Sequence, residues 1–200
     1  IRNEYRRCER IQAERLCGMN EIASQGQLRM SYVRWALFTV PAIAFLGFLS
    51  GQIANSGYGN LWFAGLAKPS FMPEGWVFGA AWTVLYVLMG LAVAVILHAR
   101  GAKMRGLAIL LFLIQLAANY AWSPVFFRLH MVPEALWLIV FIFVVAALTT
   151  ILFARIRMIA AILMLPYLGW LVFAGILTLS IDTLNPNAAN LVGPGLSTHI

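Results

Sequence analysis

Gly75-Trp-Val-Phe-Gly-Ala-Ala-Trp82-Thr-Val-Leu-Tyr86-Val-Leu-Met-Gly-Leu-Ala-Val-Ala-Val-Ile-Leu97 carries no charged residue from end to end. A helix needs roughly 20 mostly apolar residues to cross about 30 Å of hydrocarbon, and this run meets that length. Three further charge-free runs follow it: Gly106–Phe127, Ala135–Ala154 and Met158–Ile181. A fifth lies upstream, from about Val33 to Ile53, with only Arg34 at its edge. Inside lipid every backbone polar group must be satisfied within the segment, so such runs are helices. Nothing alternates with period two over successive short segments, which argues against a β-barrel. The sequence therefore predicts an all-α membrane protein, a bundle of five transmembrane helices.

Composition agrees. Of 200 residues, 62% are hydrophobic and 10% charged, and the mean hydropathy is +0.84. Soluble domains carry about 25% charged residues, so this chain has too few to cover a water-soluble surface. A disordered chain and a disulfide-stapled secreted scaffold are excluded as well. The expected division is a charged extension over 1–29, a membrane domain over 30–181 and a tail over 182–200. The expected spans are about 33–53, 75–97, 106–127, 135–154 and 158–181, with one long loop, 54–74, after the first.

The net charge of +7 reads mainly as a topology signal. Arg29, Arg34, Arg100, Lys103, Arg105, Arg155 and Arg157 fall on the side of the first span's N-terminus; only Lys68 and Arg128 fall on the other. Basic residues stay on the cytoplasmic side, which places the N-terminus inside and the long loop and C-terminus outside. No soluble basic module exists here, so nucleic acid is not an expected partner.

Residues 1–29 differ from the rest, mixing six Arg with four Glu and no apolar run. Met30 directly precedes the first span, and we read it as the native start, with a short amphipathic surface helix as the alternative. Cys8 and Cys17 lie in this stretch without a nearby His, too few for a metal site, which normally takes three or four ligands. His98, His130 and His199 sit at span edges or in the tail, so neither a metal nor a resident cofactor is expected.

Polar and aromatic residues deep in a span carry functional information. At about 1.5 Å per residue, Trp82 lies about 10 Å below the outer end of the second span. Asn119 and Trp122 lie about 12 and 8 Å below the outer end of the third, and Trp170 and Ala174 about 16 and 10 Å below that of the fifth. Spacings of three and four put Trp82 with Tyr86, Gln115 with Asn119 and Trp122, and Trp170 with Ala174 and Thr178 on shared faces. These predict an aromatic-walled cavity opening outward beneath the long loop. Helix-packing filler remains the alternative for Trp82 and Trp170, and interhelical hydrogen bonding for Gln115 and Asn119. Trp35, Trp62, Trp76 and Trp137 lie near span ends, where interfacial anchoring is the default expectation.

Catalytic templates are missing: there is no Gly-rich phosphate loop, no Gly-x-Ser-x-Gly and no carboxylate pair inside the bilayer. No ionisable residue sits at mid-depth in a span, which disfavours a proton-driven pump. A pocket of Trp and Tyr with one or two amides suits a large, flat, mainly apolar ligand.

Four stretches together carry a resemblance: Trp62-Phe-Ala-Gly-Leu-Ala-Lys68-Pro69-Ser-Phe-Met-Pro73, then Gly75-Trp76-Val-Phe78 leading to Trp82 and Tyr86, then Gln115-Leu-Ala-Ala-Asn119-Tyr-Ala-Trp122-Ser-Pro124-Val-Phe126-Phe127, and Leu165-Pro166-Tyr167-Leu-Gly-Trp170-Leu-Val-Phe173-Ala174. In this order they resemble the translocator protein family, also called tryptophan-rich sensory protein or peripheral-type benzodiazepine receptor, over about residues 33–185. The resemblance implies a five-helix bundle, usually a homodimer, that binds porphyrins (protoporphyrin IX or a related tetrapyrrole) and in some members sterols and synthetic ligands. It implies a pocket-lining role for Trp82, Tyr86, Asn119, Trp122, Trp170 and Ala174, and a lid that begins at Trp62 and contains Lys68, Pro69 and Pro73. It also implies, for some bacterial members, light-dependent porphyrin breakdown involving the tryptophans that match Trp82 and Trp170; no other catalytic residue is expected. The chain departs from the family pattern in Pro73-Glu74, where paired prolines are usual, in Phe71 for Trp and in Thr178 for Asn. No Lys or Arg follows Tyr167, which leaves sterol as the weakest of these expectations; Leu28–Arg34 matches the short sterol-associated pattern, one frequent by chance. A bacterial cytoplasmic membrane fits the composition best.

Overall fold

The computed structural model describes residues 25–190, with side chains from Met30 to Ala189. Helix α1 spans Gln25–Ile53, the short α2 Leu61–Gly65, α3 Gly75–His98 and α4 Arg105–Ser123. A π-helical turn, Pro124–Arg128, prolongs α4. Then come α5, Val132–Ile156, α6, Met158–Leu184, and a 3-10 turn, Ala188–Asn190. Among the described residues there is no strand, and five helices are long and apolar enough to cross a membrane. Cys8, Cys17, His199 and most of the expected extension and tail lie outside the described residues. The backbone of α1 already begins at Gln25, inside the stretch expected as a separate extension.

The helices form a ring in the order α1, α3, α6, α5, α4, closed by a lighter contact of α4 with α1. The half far from the long loop is dense. Met89, Ala92 and Ile96 of α3, Phe112 of α4, Phe153 of α5 and Met164 of α6 are buried against one another. Here α1 and α3 approach closely at a glycine. A Cβ on Gly90 would lie 2.7 Å from the Val40 Cα, so no other residue fits without moving backbone. Thr39 Oγ1 donates to the Gly90 carbonyl at 2.8 Å, across the same crossing.

Helix ends are satisfied locally. The last four carbonyls of a helix have no internal partner, and Arg105 supplies two for α3, its Nε donating to Ile96 O at 3.0 Å and its Nη2 to Leu97 O at 2.9 Å. A cation at that end also complements the helix dipole. At the other end of the bundle, Leu129 N bonds back to Pro124 O and Met131 N to Val125 O, which closes the π turn.

Candidate functional site

A cavity of about 360 Å³ occupies the loop end of the bundle. Its aromatic wall is built by α3 and α6. Trp82 stacks on Tyr86, one turn away, with ring centres 5.2 Å apart and 29° between planes. Trp170 meets Trp82 edge-on at 6.3 Å and 77°, and Phe78 meets Trp170 edge-on at 5.9 Å. Across the cavity stands Trp122, its indole stacked on Phe126 at 5.0 Å and its Nε1 donating to Ala135 O on α5 at 3.1 Å. Phe126 and Phe127, both within the π turn, lie on the wall.

Trp82, Tyr86, Asn119, Trp122, Trp170 and Ala174 all line this one cavity, as does Thr178. Two polar atoms on these residues, Asn119 Oδ1 and Trp170 Nε1, are buried with no hydrogen-bond partner. Leaving a buried polar group unpaired costs about 1–3 kcal/mol; both atoms are covered in this conformation, so a bound molecule pairs with them only if a neighbouring side chain shifts. Gln115 is placed differently. It shares the α4 face of Asn119 but lies off the cavity wall, where its Oε1 accepts from the Tyr167 hydroxyl at 2.9 Å in a fully buried pair. For Gln115 the interhelical role applies.

The roof is the 54–74 segment, and it is more structured than a loop. Asn60 caps α2, its Oδ1 accepting from Phe63 N at 3.1 Å, and its Nδ2 donates to Phe127 O at 3.1 Å. Asn185 grips the segment from α6: its Oδ1 accepts from Ala67 N and its Nδ2 donates to Ala67 O, both at 2.9 Å. Trp62, expected at the interface, is instead 4% exposed. It donates to Ala188 O at 2.8 Å and stacks on His130 at 4.2 Å. The indoles left open at span ends are Trp76 and Trp137, 71% and 73% exposed. Asn55, Ser56, Gly57, Tyr58, Phe63 and Met72 are the roof residues on the cavity wall; Trp62, Lys68, Pro69 and Pro73 do not line it. Lys68 Nζ sits over the Phe63 ring at 4.9 Å and donates to Ala64 O and Leu66 O, both at 3.1 Å. Partial desolvation holds its pKa below the ordinary lysine value.

Comparison with known proteins now places this geometry. The profile of the TspO/MBR family matches residues 38–184. The chain belongs to the TspO/MBR family. Its relatives include Protein CrtK of Rhodobacter capsulatus, 32% identical over 78% of this chain and 96% of that protein. The Tryptophan-rich protein TspO of Archaeoglobus fulgidus is 36% identical over 75% and 94%, and the human Translocator protein 37% over 67% and 83%. Family membership and five membrane-length helices make this TspO/MBR protein an integral membrane protein.

Sequence reasoning missed the contribution of α1 to the TspO/MBR cavity. Gly47, Phe48 and Gly51 line it, and a Cβ on Gly47 would run into the Tyr86 ring. The available signal was the small-residue spacing of Gly47 and Gly51, which lets a neighbouring helix approach.

Proposed function

We propose that this is a membrane sensory or transport protein whose cavity binds a porphyrin. The observation that carries the reading is the arrangement of Trp82, Tyr86 and Trp170. A stacked pair and a perpendicular indole offer both faces and edges to a flat π system, the geometries aromatic rings prefer. The names Tryptophan-rich sensory protein and Translocator protein among the relatives support a sensory or transport role. At about 360 Å³ the cavity lies near the lower end of small-molecule sites, roughly 300–1,000 Å³. A tetrapyrrole would insert one edge and leave the rest in the mouth. Sterol is not proposed, since no Lys or Arg follows Tyr167.

The decisive experiment is a protoporphyrin IX titration of purified protein in detergent, reading tryptophan fluorescence and the porphyrin spectrum together in dark and light. Saturable quenching that weakens at least tenfold in a Trp82→Phe, Trp170→Phe double variant is expected. Linear quenching, or quenching identical in the variant, overturns the reading. A second reading, light-dependent oxidative breakdown of the porphyrin, is favoured by the 6.3 Å contact of Trp82 with Trp170, close enough to share an oxidised indole. It requires loss of the porphyrin absorbance band under light that either single Trp→Phe variant slows. The setting we propose is a bacterial cytoplasmic membrane, with the N-terminus inside and the protein a homodimer. Ala117 and Ala121, exposed on one face of α4, are the small residues available to such an interface.

A further inference from the structure

The exposed residues on the cavity wall are unevenly placed. All of them belong to α1, the 54–74 segment or α3, whereas the wall residues from α5 are buried and those from α4, the π turn and α6 are buried or half-buried. The cavity therefore opens along the seam between the C-terminal end of α1 and the N-terminal end of α3.

Three observations define that seam. First, α3 carries Gly75 and Gly79 along it, both exposed and both on the cavity wall. A Cβ on Gly79 would meet nothing within 4 Å, so the helices have parted there, in contrast to their contact at Gly90. Second, Phe48 of α1 stands in the opening. It lines the cavity, touches the Tyr86 ring edge-on at 5.9 Å and is still 44% exposed. Third, the roof is fastened on the opposite side. Asn60 binds it to the π turn, Asn185 to α6 and Trp62 to the turn at Ala188. On the seam side its ties are main-chain and local: Ser56 N bonds to Gly51 O at the end of α1 at 2.9 Å, and the Tyr58 hydroxyl donates to Pro73 O at 2.8 Å within the roof.

The height and chemistry of the opening say what faces it. Gly79 lies about 6 Å and Phe48 about 7 Å inside the ends of their membrane-length helices. The α1 and α3 surfaces beside them are apolar and exposed: Phe45, Leu49, Val84 and Trp76. Gln52 and Asn55 edge the upper rim. An opening that is apolar below and polar above matches an amphiphile lying at the bilayer boundary, with its flat body in hydrocarbon and its polar groups among the headgroups.

We propose that the cavity is loaded sideways from the bilayer, through a portal between α1 and α3 walled by Gly79 and gated by Phe48. The proposal rests on the cavity being a binding site, and it narrows the ligand class to molecules that partition into membrane. The Phe48 side chain swings on χ1 to admit the ligand, while the roof keeps its ties to α4 and α6.

A labelling experiment tests the route without any porphyrin. A Ser123→Cys reporter on the cavity wall, in a Cys8→Ser, Cys17→Ser background, is reconstituted into phosphatidylcholine vesicles. It is reacted with a long-chain N-alkylmaleimide that partitions into the bilayer, and separately with a charged, water-soluble methanethiosulfonate. With each rate divided by that reagent's rate on a free thiol in the same vesicle suspension, the alkylmaleimide is expected to be the faster of the two. Adding Gly79→Phe, whose side chain enters empty space, should slow it at least tenfold, and Phe48→Ala should speed it severalfold. The opposite signs distinguish gating from misfolding. A rate within twofold of the parent in both variants, or equal normalised rates for the two reagents, overturns the portal. Gated labelling together with failure of the protoporphyrin titration would leave the portal standing and dismiss porphyrin as the cargo.

Discussion

Two glycines on the same helix, three turns apart, have opposite surroundings. Gly90 lies in the dense half of the bundle, where its missing side chain lets the Val40 backbone approach, and Gly79 lies at the loop end facing open space. The rings around each explain why. Near Gly90 the neighbours on α3 are small or flexible (Met89, Ala92, Val93, Ala94), and the helices close on them until no gap remains. Toward Gly79 the wall is Phe78, Trp82 and Trp170, whose rings brace edge-on against one another, with Trp122 on the other side stacked on Phe126. Rigid rings that support each other edge-on hold helices apart, whereas small side chains let them meet. The membrane does not oppose the gap, because lipid tails are as apolar as the side chains and exert little hydrophobic pressure to close it.

The same substitution at the two positions breaks this comparison most directly. Gly90→Ala forces a Cβ against Val40 backbone and should destabilise by about 3 kcal/mol, the upper end of overpacking costs. A large drop in thermal unfolding temperature in detergent would show it; a wild-type temperature would mean that α1 and α3 do not depend on that contact. Next in size is Asn185→Ala, which strips the roof of two bonds to Ala67. A loss of about 2 kcal/mol is expected, read as faster hydrogen exchange of residues 61–67 while α5 amides keep their protection. Gly47→Ala should have an intermediate effect of about 1–2 kcal/mol. Its new methyl meets a side chain, the Tyr86 ring, which can shift, so the clearer readout is altered tyrosine and tryptophan fluorescence. Smallest, and opposite in sign, is Gly79→Ala. With nothing to collide with, it should stabilise α3 by up to about 1 kcal/mol through helix propensity; destabilisation there would show that the seam is closed rather than open.

How far the candidate site could be read in advance depended on its helices. Trp82, Asn119 and Trp170 were recognisable because a polar or indole side chain deep in an apolar run stands out, and because spacings of three and four are local facts about a helix. The share of α1 was hidden, since Gly47, Phe48 and Gly51 look like any lipid-facing stretch until another helix lies beside them. Phe127 was quoted only within a family motif, because it lies at a span end, in the π turn after Pro124, where helical spacing gives no guide to its neighbours. Trp62 was misread for a related reason. An indole near a span end is an anchor by default, and only the return of the chain at Ala188 turns it into a buried roof strut.

The number, length and helical character of the spans followed from the sequence alone. They rest on interactions within a segment, which are the transfer of about 20 apolar residues into lipid and the internal pairing of their backbone groups. Which helices touch and which part was decided by tertiary structure. The ring order α1, α3, α6, α5, α4, the contact at Gly90, the opening at Gly79 and the ties that hold the roof to one side all join residues far apart in the chain. Such contacts depend on the shapes of two surfaces at once, and neither segment's own sequence contains the other's shape.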